Sequence, residues 1–528
     1  MRIVPLICLL ISVHCYAQQT DYWLGLSENS ILSGDDEIKI IISSPVAVSG
    51  EVSIPASGWS AGFVVPAGSF SQIAIPLNLA ENTIDNSPQP KGVRVRSSAP
   101  AFVQAVSAQG NSADVSSVRA LHDLGNHYRV QIPPSASASS VLIVATADDT
   151  QIDINAAAGS GVNSTSINLD AGMCYRVSST SGGDLSGTEI TGAADNGDCR
   201  DFAVFVASKC ANVPANCSAA CDHLFEQIMP IEKWGTEYYV SPFLFTLNPS
   251  YSSASNGAYT YRIMAHQPGT SVVIDGMGST VLGAGEFIEF NDQTIAHCIS
   301  ASAPVHVVQL MQGIACSGNG DPSLIEVRPV ADWQNEFSFQ STTLPGITQQ
   351  YLKITVPAAG VAQCSVDGET IPPNLFTPFP ACPGWYYINY EVNAGYHVVQ
   401  CMSGISAMCY AVGSSGSAVS VSYAFSPIST TVMQPPPVDD SFCSGNALSI
   451  NIPVGYTPVE WFLLPDTVNS ISTATVLDLS TPIQPGLYMA NTIDDTNGCL
   501  REFRYSVAAP GNVNISISPP QINACRFE

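Results

Sequence analysis

Three phrases return along the chain in a fixed order, and a sequence that repeats itself folds as repeated modules. The first is an aromatic opening run: "LGNHYRV" (124–130), "WGTEYYV" (234–240) and "WQNEFSF" (333–339). The second is a hairpin phrase: "ATADDTQIDI" (145–154), "AHQPGTSVVI" (265–274) and a looser "VAQCSVDG" (361–368). The third is a small residue or Pro, then Gly, then an alternating run: "AGMCYRV" (171–177), "AGEFIEF" (284–290) and "PGWYYINYEV" (383–392), with "AGSFSQIAI" (67–75) in the same slot earlier. Beyond it, "HVVQLMQGI" (His306–Ile314) and "HVVQCMSGI" (His397–Ile405) agree at seven of nine positions and read as one strand recurring with the module. "SAPAFVQAV" (98–106) and "DFAVFVASKC" (201–210) fill that slot upstream, so four units are expected at 18–120, 121–231, 232–330 and 331–428.

Every anchor carries strand physics. Ile152 and Ile154 face one way with polar side chains between them, and Asp149 and Gly269 stand just before a Thr where a turn must form. In "HVVQLM", Val307, Gln309 and Met311 share one face, while His306, Val308 and Leu310 share the other. Charged residues are only 11% of the chain, and 40 Gly with 37 Pro supply turns. The fold class is therefore all-β: tandem antiparallel β-sandwich-like modules, since the unit is about twice a propeller blade of 40–50 residues. The one helical candidate is "CDHLFEQIMPIEKW" (221–234), where Pro230 would end any helix; it reads as a short disulfide-tethered segment covering an end of a sandwich.

The ends have their own signatures. Residues 1–17 carry Arg2, an apolar run and a small-residue exit at Ala17, a secretory signal peptide. The Pro-rich stretch 429–438 reads as a linker. Within 439–510 the order Cys443, Trp461, Cys499 predicts an immunoglobulin-like sandwich. Residues 511–528 then replay its opening and place Cys525 where the first cysteine of another module falls. The expectation is a fragment of a longer secreted protein, with attachment to a cell surface through a region C-terminal to Glu528 left open; an ordered tail with a free or cross-module thiol is the alternative.

An exported chain makes disulfides the default for its cysteines. Proximity predicts Cys174–Cys199, Cys298–Cys316, Cys364–Cys382, Cys401–Cys409 and Cys443–Cys499, with Cys210 choosing between Cys217 and Cys221. A net charge of -26 argues against nucleic acid or anionic lipid as partners. No later run reaches the roughly 18 apolar residues of a membrane span, so direct insertion is not expected.

Candidate chemistry mostly dissolves on inspection. His306 and His397 lie in different modules and read as structural histidines. His223 and Glu226 lack the second histidine of a zinc hydrolase. Glu286 and Glu289, at odd spacing on a strand, face opposite ways and form no acid/base pair. "GDPS" (320–323) has Ser323 where mucin-like self-cleaving sequences carry His, so Asp321-Pro322 reads as a turn. "DDTN" (494–497) offers too few oxygens for Ca²⁺. No catalytic, cofactor-binding or metal-ligating residue is assigned.

"DYWLGLSEN", "GVRVRSSAP", "DLGNHYRV", "VATADDTQIDI", "LDAGMCYRV", "KCANVP…CDHLFEQIMPIEKWG", "HVVQ" and "DPSLIEVRPV" together resemble the IgGFc-binding protein N-terminal domain family over roughly 20–428. "DYWLGL" and the "YAQQT" exit resemble its bacterial members, of the Bacteroidetes kind. The resemblance implies extracellular adhesion or binding of a glycoprotein, mucin or polysaccharide through module loops, without catalytic residues or cofactor. The alternatives are a structural spacer displaying C-terminal modules and, further off, a carbohydrate hydrolase, which needs a carboxylate pair about 5–10 Å apart.

Overall fold

Strand β11 (Thr150–Asn155) alternates buried and exposed positions, with Ile152 and Ile154 inward. Its neighbour β10 (Ser139–Ala145) is buried at all seven. This contrast between sheets with one wet face and sheets with none organises the molecule. The computed structural model describes residues 20–29, 36–110, 112–192, 200–217, 221–252, 254–414, 420–428, 448–452, 456–464, 466, 469–479, 486–494 and 500–507.

The first stretch holds β1 (Thr20–Leu24), β2 (Asp36–Ser44), β3 (Val48–Ile54), β4 (Trp59–Val65), β5 (Ser69–Ile75), β6 (Val93–Ser97), β7 (Phe102–Gln109) and β8 (Ser112–Val118). They form two antiparallel sheets, β1-β6-β3-β4 and β8-β7-β2-β5. The next holds β9 (His127–Arg129), β10, β11, β12 (Thr165–Leu169), β13 (Cys174–Ser178), β14 (Glu189–Gly192), β15 (Phe202–Ala211) and β16 (Asp222–Gln227). Its sheets run β9-β14-β11-β12 and β16-β15-β10-β13, the same order, with the latter extended at its edge by Pro88–Gln89.

The third stretch has β17 (Gly235–Val240), β18 (Tyr259–Ala265), β19 (Thr270–Ile274), β20 (Gly278–Leu282), β21 (Phe287–Gln293), β22 (His297–Met311) and β23 (Ser323–Glu326). The fourth has β24 (Gln334–Ser341), β25 (Gln349–Pro357), β26 (Cys364–Val366), β27 (Glu369–Thr370), β28 (Trp385–Glu391), β29 (Gly395–Ser414) and β30 (Ser420–Phe425). In both, one long strand serves both sheets. The first half of β22 pairs with β17 and β19, the second with β18 and β23. β29 likewise pairs with β24 and β26, then with β25 and β30. The turn before the hairpin strand is left-handed at Asp149 (φ 54°) and Gly269 (φ 80°), as the sequence suggested.

The sheets without a wet face explain how the four sandwiches stand together. On β10, Val141 and Ile143 join a core with Ile152 and Ile190, while Leu142 and Val144 join the core of the first sandwich beside Trp23. On β22, Val307 and Met311 face inward, while Val308 and Leu310 enter the core of the second sandwich. On β29, Cys409 and Ala411 face inward, while Tyr410 and Val412 enter the core of the third. The circle closes on β2 and β7: Ile40 and Val103 face their own sandwich, but Ile41, Phe102 and Val106 enter the core of the fourth. The last strands, β8, β16, β23 and β30, touch in cyclic order at the centre.

Several expectations change. The helical candidate at 221–234 is instead strand β16 followed by a 3-10 turn at Ile231–Lys233. "DHLFEQ" is buried throughout, so burial on both faces erased the alternation that marks a strand. The two nonapeptides do not share a slot. His306 lies opposite Met264 in the second half of β22, whereas His397 lies opposite Phe339 in the first half of β29. The residue placed like His397 is His297, opposite Val240.

Disulfide pairing follows the ring rather than the sequence. Cys298 bonds Cys382 rather than Cys316, Cys316 bonds Cys217, and Cys364 bonds Cys401 rather than Cys382. Cys210 takes Cys221. Cys409, expected to pair with Cys401, is a buried free thiol, as is Cys174; Cys199, Cys443 and Cys499 lie outside the described residues. Ring packing brings together cysteines that sequence proximity keeps apart. The bridges spanning 99 and 84 residues link consecutive sandwiches, each worth on the order of 4–5 kcal/mol by chain entropy.

C-terminal to these lie β31 (Leu448–Asn451), β32 (Tyr456–Leu463), β33 (Val476–Leu479), β34 (Gly486–Asp494) and β35 (Leu500–Val507), in sheets β31-β33 and β32-β34-β35. Trp461 is fully buried with Ile450, Leu477 and Tyr488, and its Nε1 donates to Ala474 O at 2.8 Å. The stretches 1–17, 429–438 and 511–528, and residues 495–497 of the "DDTN" turn, lie outside the described residues.

Phe205 belongs to a strand of the second sandwich but packs in the first, stacked on Phe225 at 5.5 Å. Phe205→Ala should cost about 3–5 kcal/mol. In chemical denaturation it should shift the whole transition of residues 20–428 rather than split off one sandwich.

Candidate functional site

The strands at the centre bring polar side chains into the interior. Ser117, Arg119, Glu226, Gln227, Glu326, Arg328 and Ser426 surround a cavity of ≈ 10 Å³ at one end of the axis. Glu326 accepts from Arg119 Nη2 at 2.7 Å and from the Met229 amide at 2.6 Å. His306 Nε2 lies 2.8 Å from it, with its ring stacked on Trp234 at 5.1 Å. Burial opposes the Glu326 charge, but Arg119 and His306 outweigh it and hold the carboxyl below its ordinary value. Glu226 has no such cation; burial, then the Glu326 charge, pushes it well up. Carboxyls driven apart in this way mark acid/base pairs in enzymes. Here the space is about one water molecule. The arrangement clamps the ring.

At the other end, Asp222 Oδ1 accepts from the Ala113 and His223 amides, and Asp114 Oδ2 accepts from the Phe225 amide. Ser422 Oγ donates to Asp321 O at 2.6 Å. Burial pushes Asp114, Asp222 and Asp321 well above the carboxylate range, and the Asp321 charge adds to the shift of Asp222.

The remaining sequence candidates are dispersed. His397 is held by Asp367 Oδ2 and Asn393 O, each at 2.7 Å, far along the chain from the partners of His306. His223 lies 2.9 Å from Ser208 O, and burial lowers its pKa to about 4. Glu286 accepts from the Gly283 amide, and Glu289 from Arg262 Nε. Asp321 is buried on the axis rather than in an exposed turn.

Two groupings were missed. Arg119, Glu326 and Arg328 sit in "SVRA" and "EVRP", where a recurring Val-Arg was the available signal. His127, Glu189 and His266 converge from separate stretches, with ligand atoms all within 4.8 Å. His127 Nε2 is 2.7 Å and Arg129 Nη2 2.8 Å from Glu189 Oε1. The hydrogen bond from His127 is the main force lowering the Glu189 pKa. Burial, helped by the charges of His127 and Arg129, takes His266 to about 4. A further grouping, Asp275, Cys298 and Cys382, has both sulfurs in a disulfide, so neither offers a thiolate.

The profile of the IgGFc binding protein family matches residues 114–412, from within β8 to within β29. The chain belongs to that family. Human IgGFc-binding protein is 27% identical over 315 residues, 56% of this chain but only 5% of that protein's length. Among solved structures, a Ca²⁺-stabilized adhesin of an ice-binding Antarctic bacterium aligns at 10% identity over 78% of this chain and 94% of its own, with a TM-score of 0.11. A tetra-tandem repeat from the extending region of a large adhesion protein aligns at 10% over 76% and 93%, with a TM-score of 0.09. Those scores are too low to bear on the fold.

The chain should show an unusual pH profile at its axis. A carboxyl whose folded pKa is raised contributes its full stability below its unfolded value near 3.9, and loses it as pH rises toward the folded pKa. Asp222→Asn keeps the Oδ1 acceptor and removes that loss. The variant should match the parent near pH 4 and exceed it by about 1–4 kcal/mol at pH 7, by urea denaturation at each pH.

Proposed function

We propose that this family member is a secreted, non-catalytic binding or adhesion protein. Four copies of one β-sandwich module (18–120, 121–231, 232–330 and 331–428) form its binding part, followed by an immunoglobulin-like module at 439–510. The observation that carries the reading is the family match across the second, third and fourth sandwiches. The name of the human relative points to an extracellular glycoprotein, and a mucin or polysaccharide is the finer form of the proposal.

Other features support the reading. Disulfides linking the sandwiches suit an oxidising compartment. Among the described residues no helix is long and apolar enough to cross a membrane. The faces turned to the centre are consumed by packing, which leaves the wet faces and loops of the outer sheets for contact, such as Gln151, Asp153 and Asn155 on β11.

The test is surface binding of the oxidised full chain to immobilised immunoglobulin Fc, purified mucin and a glycan array. Saturable binding to at least one, lost on reduction of the disulfides, is the expected result. Silence on all three surfaces would overturn the reading.

A further inference from the structure

We propose that His127, Glu189 and His266 form a binding site for a divalent first-row transition metal, zinc foremost, that ties the second sandwich to the third. The inference rests on geometry and donor chemistry and is independent of the ligand proposed above.

His127 and Glu189 stand on paired strands. Glu189 lies opposite Arg129 in the β9–β14 register, so it is the diagonal neighbour of His127 on the same face. His266 arrives from the third sandwich, one residue past the end of β18. Its ring meets that of His127 edge to face at 5.2 Å. The ring of His266 also meets that of Trp234 edge to face at 6.3 Å, which limits how it can turn. His266 Nδ1 is buried and has no hydrogen-bond partner, in a spot where two other ligand groups converge.

Two imidazoles and one carboxylate are a zinc donor set, and a fourth position would be left to solvent or a partner. Zinc–ligand bonds near 2.0–2.1 Å put tetrahedral donors about 3.3 Å apart. His127 Nε2 and Glu189 Oε1, now 2.7 Å apart, need only separate slightly, and the 4.8 Å limit on the other distances is within side-chain rotation. Arg129 already holds Glu189 Oε1 at 2.8 Å, which orients the carboxylate toward the site. Its charge opposes a cation, so binding should be weaker than at a structural zinc site. Imidazole donors disfavour Ca²⁺, which takes oxygen ligands. All three residues are partly exposed, so an ion can enter.

The experiment uses the oxidised full chain, stripped with chelator and titrated with ZnCl₂ or CaCl₂ by calorimetry and thermal melting. One equivalent of Zn²⁺ should bind and raise Tm, with no response to Ca²⁺. His266→Ala and the milder Glu189→Gln should each weaken Zn²⁺ binding at least tenfold, and His122→Ala, at an exposed histidine, should not. Co²⁺ should give the visible absorption of a tetrahedral nitrogen–oxygen site, lost in Glu189→Gln. No saturable Zn²⁺ binding, or binding undiminished in both variants, would overturn the proposal and leave an ordinary ion-pair cluster.

Discussion

A sheet buried on both faces is the constraint on which the rest of the molecule depends. In each sandwich the outer sheet keeps a wet face, but the inner sheet sends alternate residues into two different cores. Leu142 and Val144 complete the first sandwich while Val141 and Ile143 complete the second. A module with two apolar faces on one sheet cannot stand alone in water, because the second face needs a neighbour. A linear array would leave that need unmet at one end. The chain meets it by closing, with Ile41 and Phe102 of the first sandwich entering the core of the fourth.

Closure forces four strands together at the centre, and that position sets their character. Backbone and side-chain groups there are far from water and must find partners within the ring. Ser117, Ser422 and Ser426 donate to carbonyls of neighbouring strands, and Asp114 and Asp222 accept from amides across the boundary. Arg119, Glu326 and His306 form one buried knot, and removing one member would strand the others. The residues most suggestive of catalysis are thus the ones that register the modules.

Much of this was legible in the sequence. The opening, hairpin and glycine-led phrases each fall on a corresponding strand, because turn residues such as Asp149 and Gly269 and the period-two run after them are local signals. Ring closure was not legible, since it depends on which face of an apolar strand meets which neighbour. "DHLFEQ" therefore passed for a helix. The likeness of "HVVQLM" to "HVVQCM" misled for a related reason: both are buried strand segments with similar demands, placed in different halves of β22 and β29. Cysteine pairing failed in the same way, as Cys217–Cys316 and Cys298–Cys382 are neighbours only across the ring. His127, Glu189 and His266 converge by the same route and carry no motif.

The central claim is closure, and small-angle X-ray scattering on the chain cut after residue 428 tests it most directly. Four sandwiches packed around one axis should give a radius of gyration of roughly 22 Å, that of a single compact body of this length. A string of separate sandwiches would give about twice that radius and an elongated distance distribution, and that result would contradict the account.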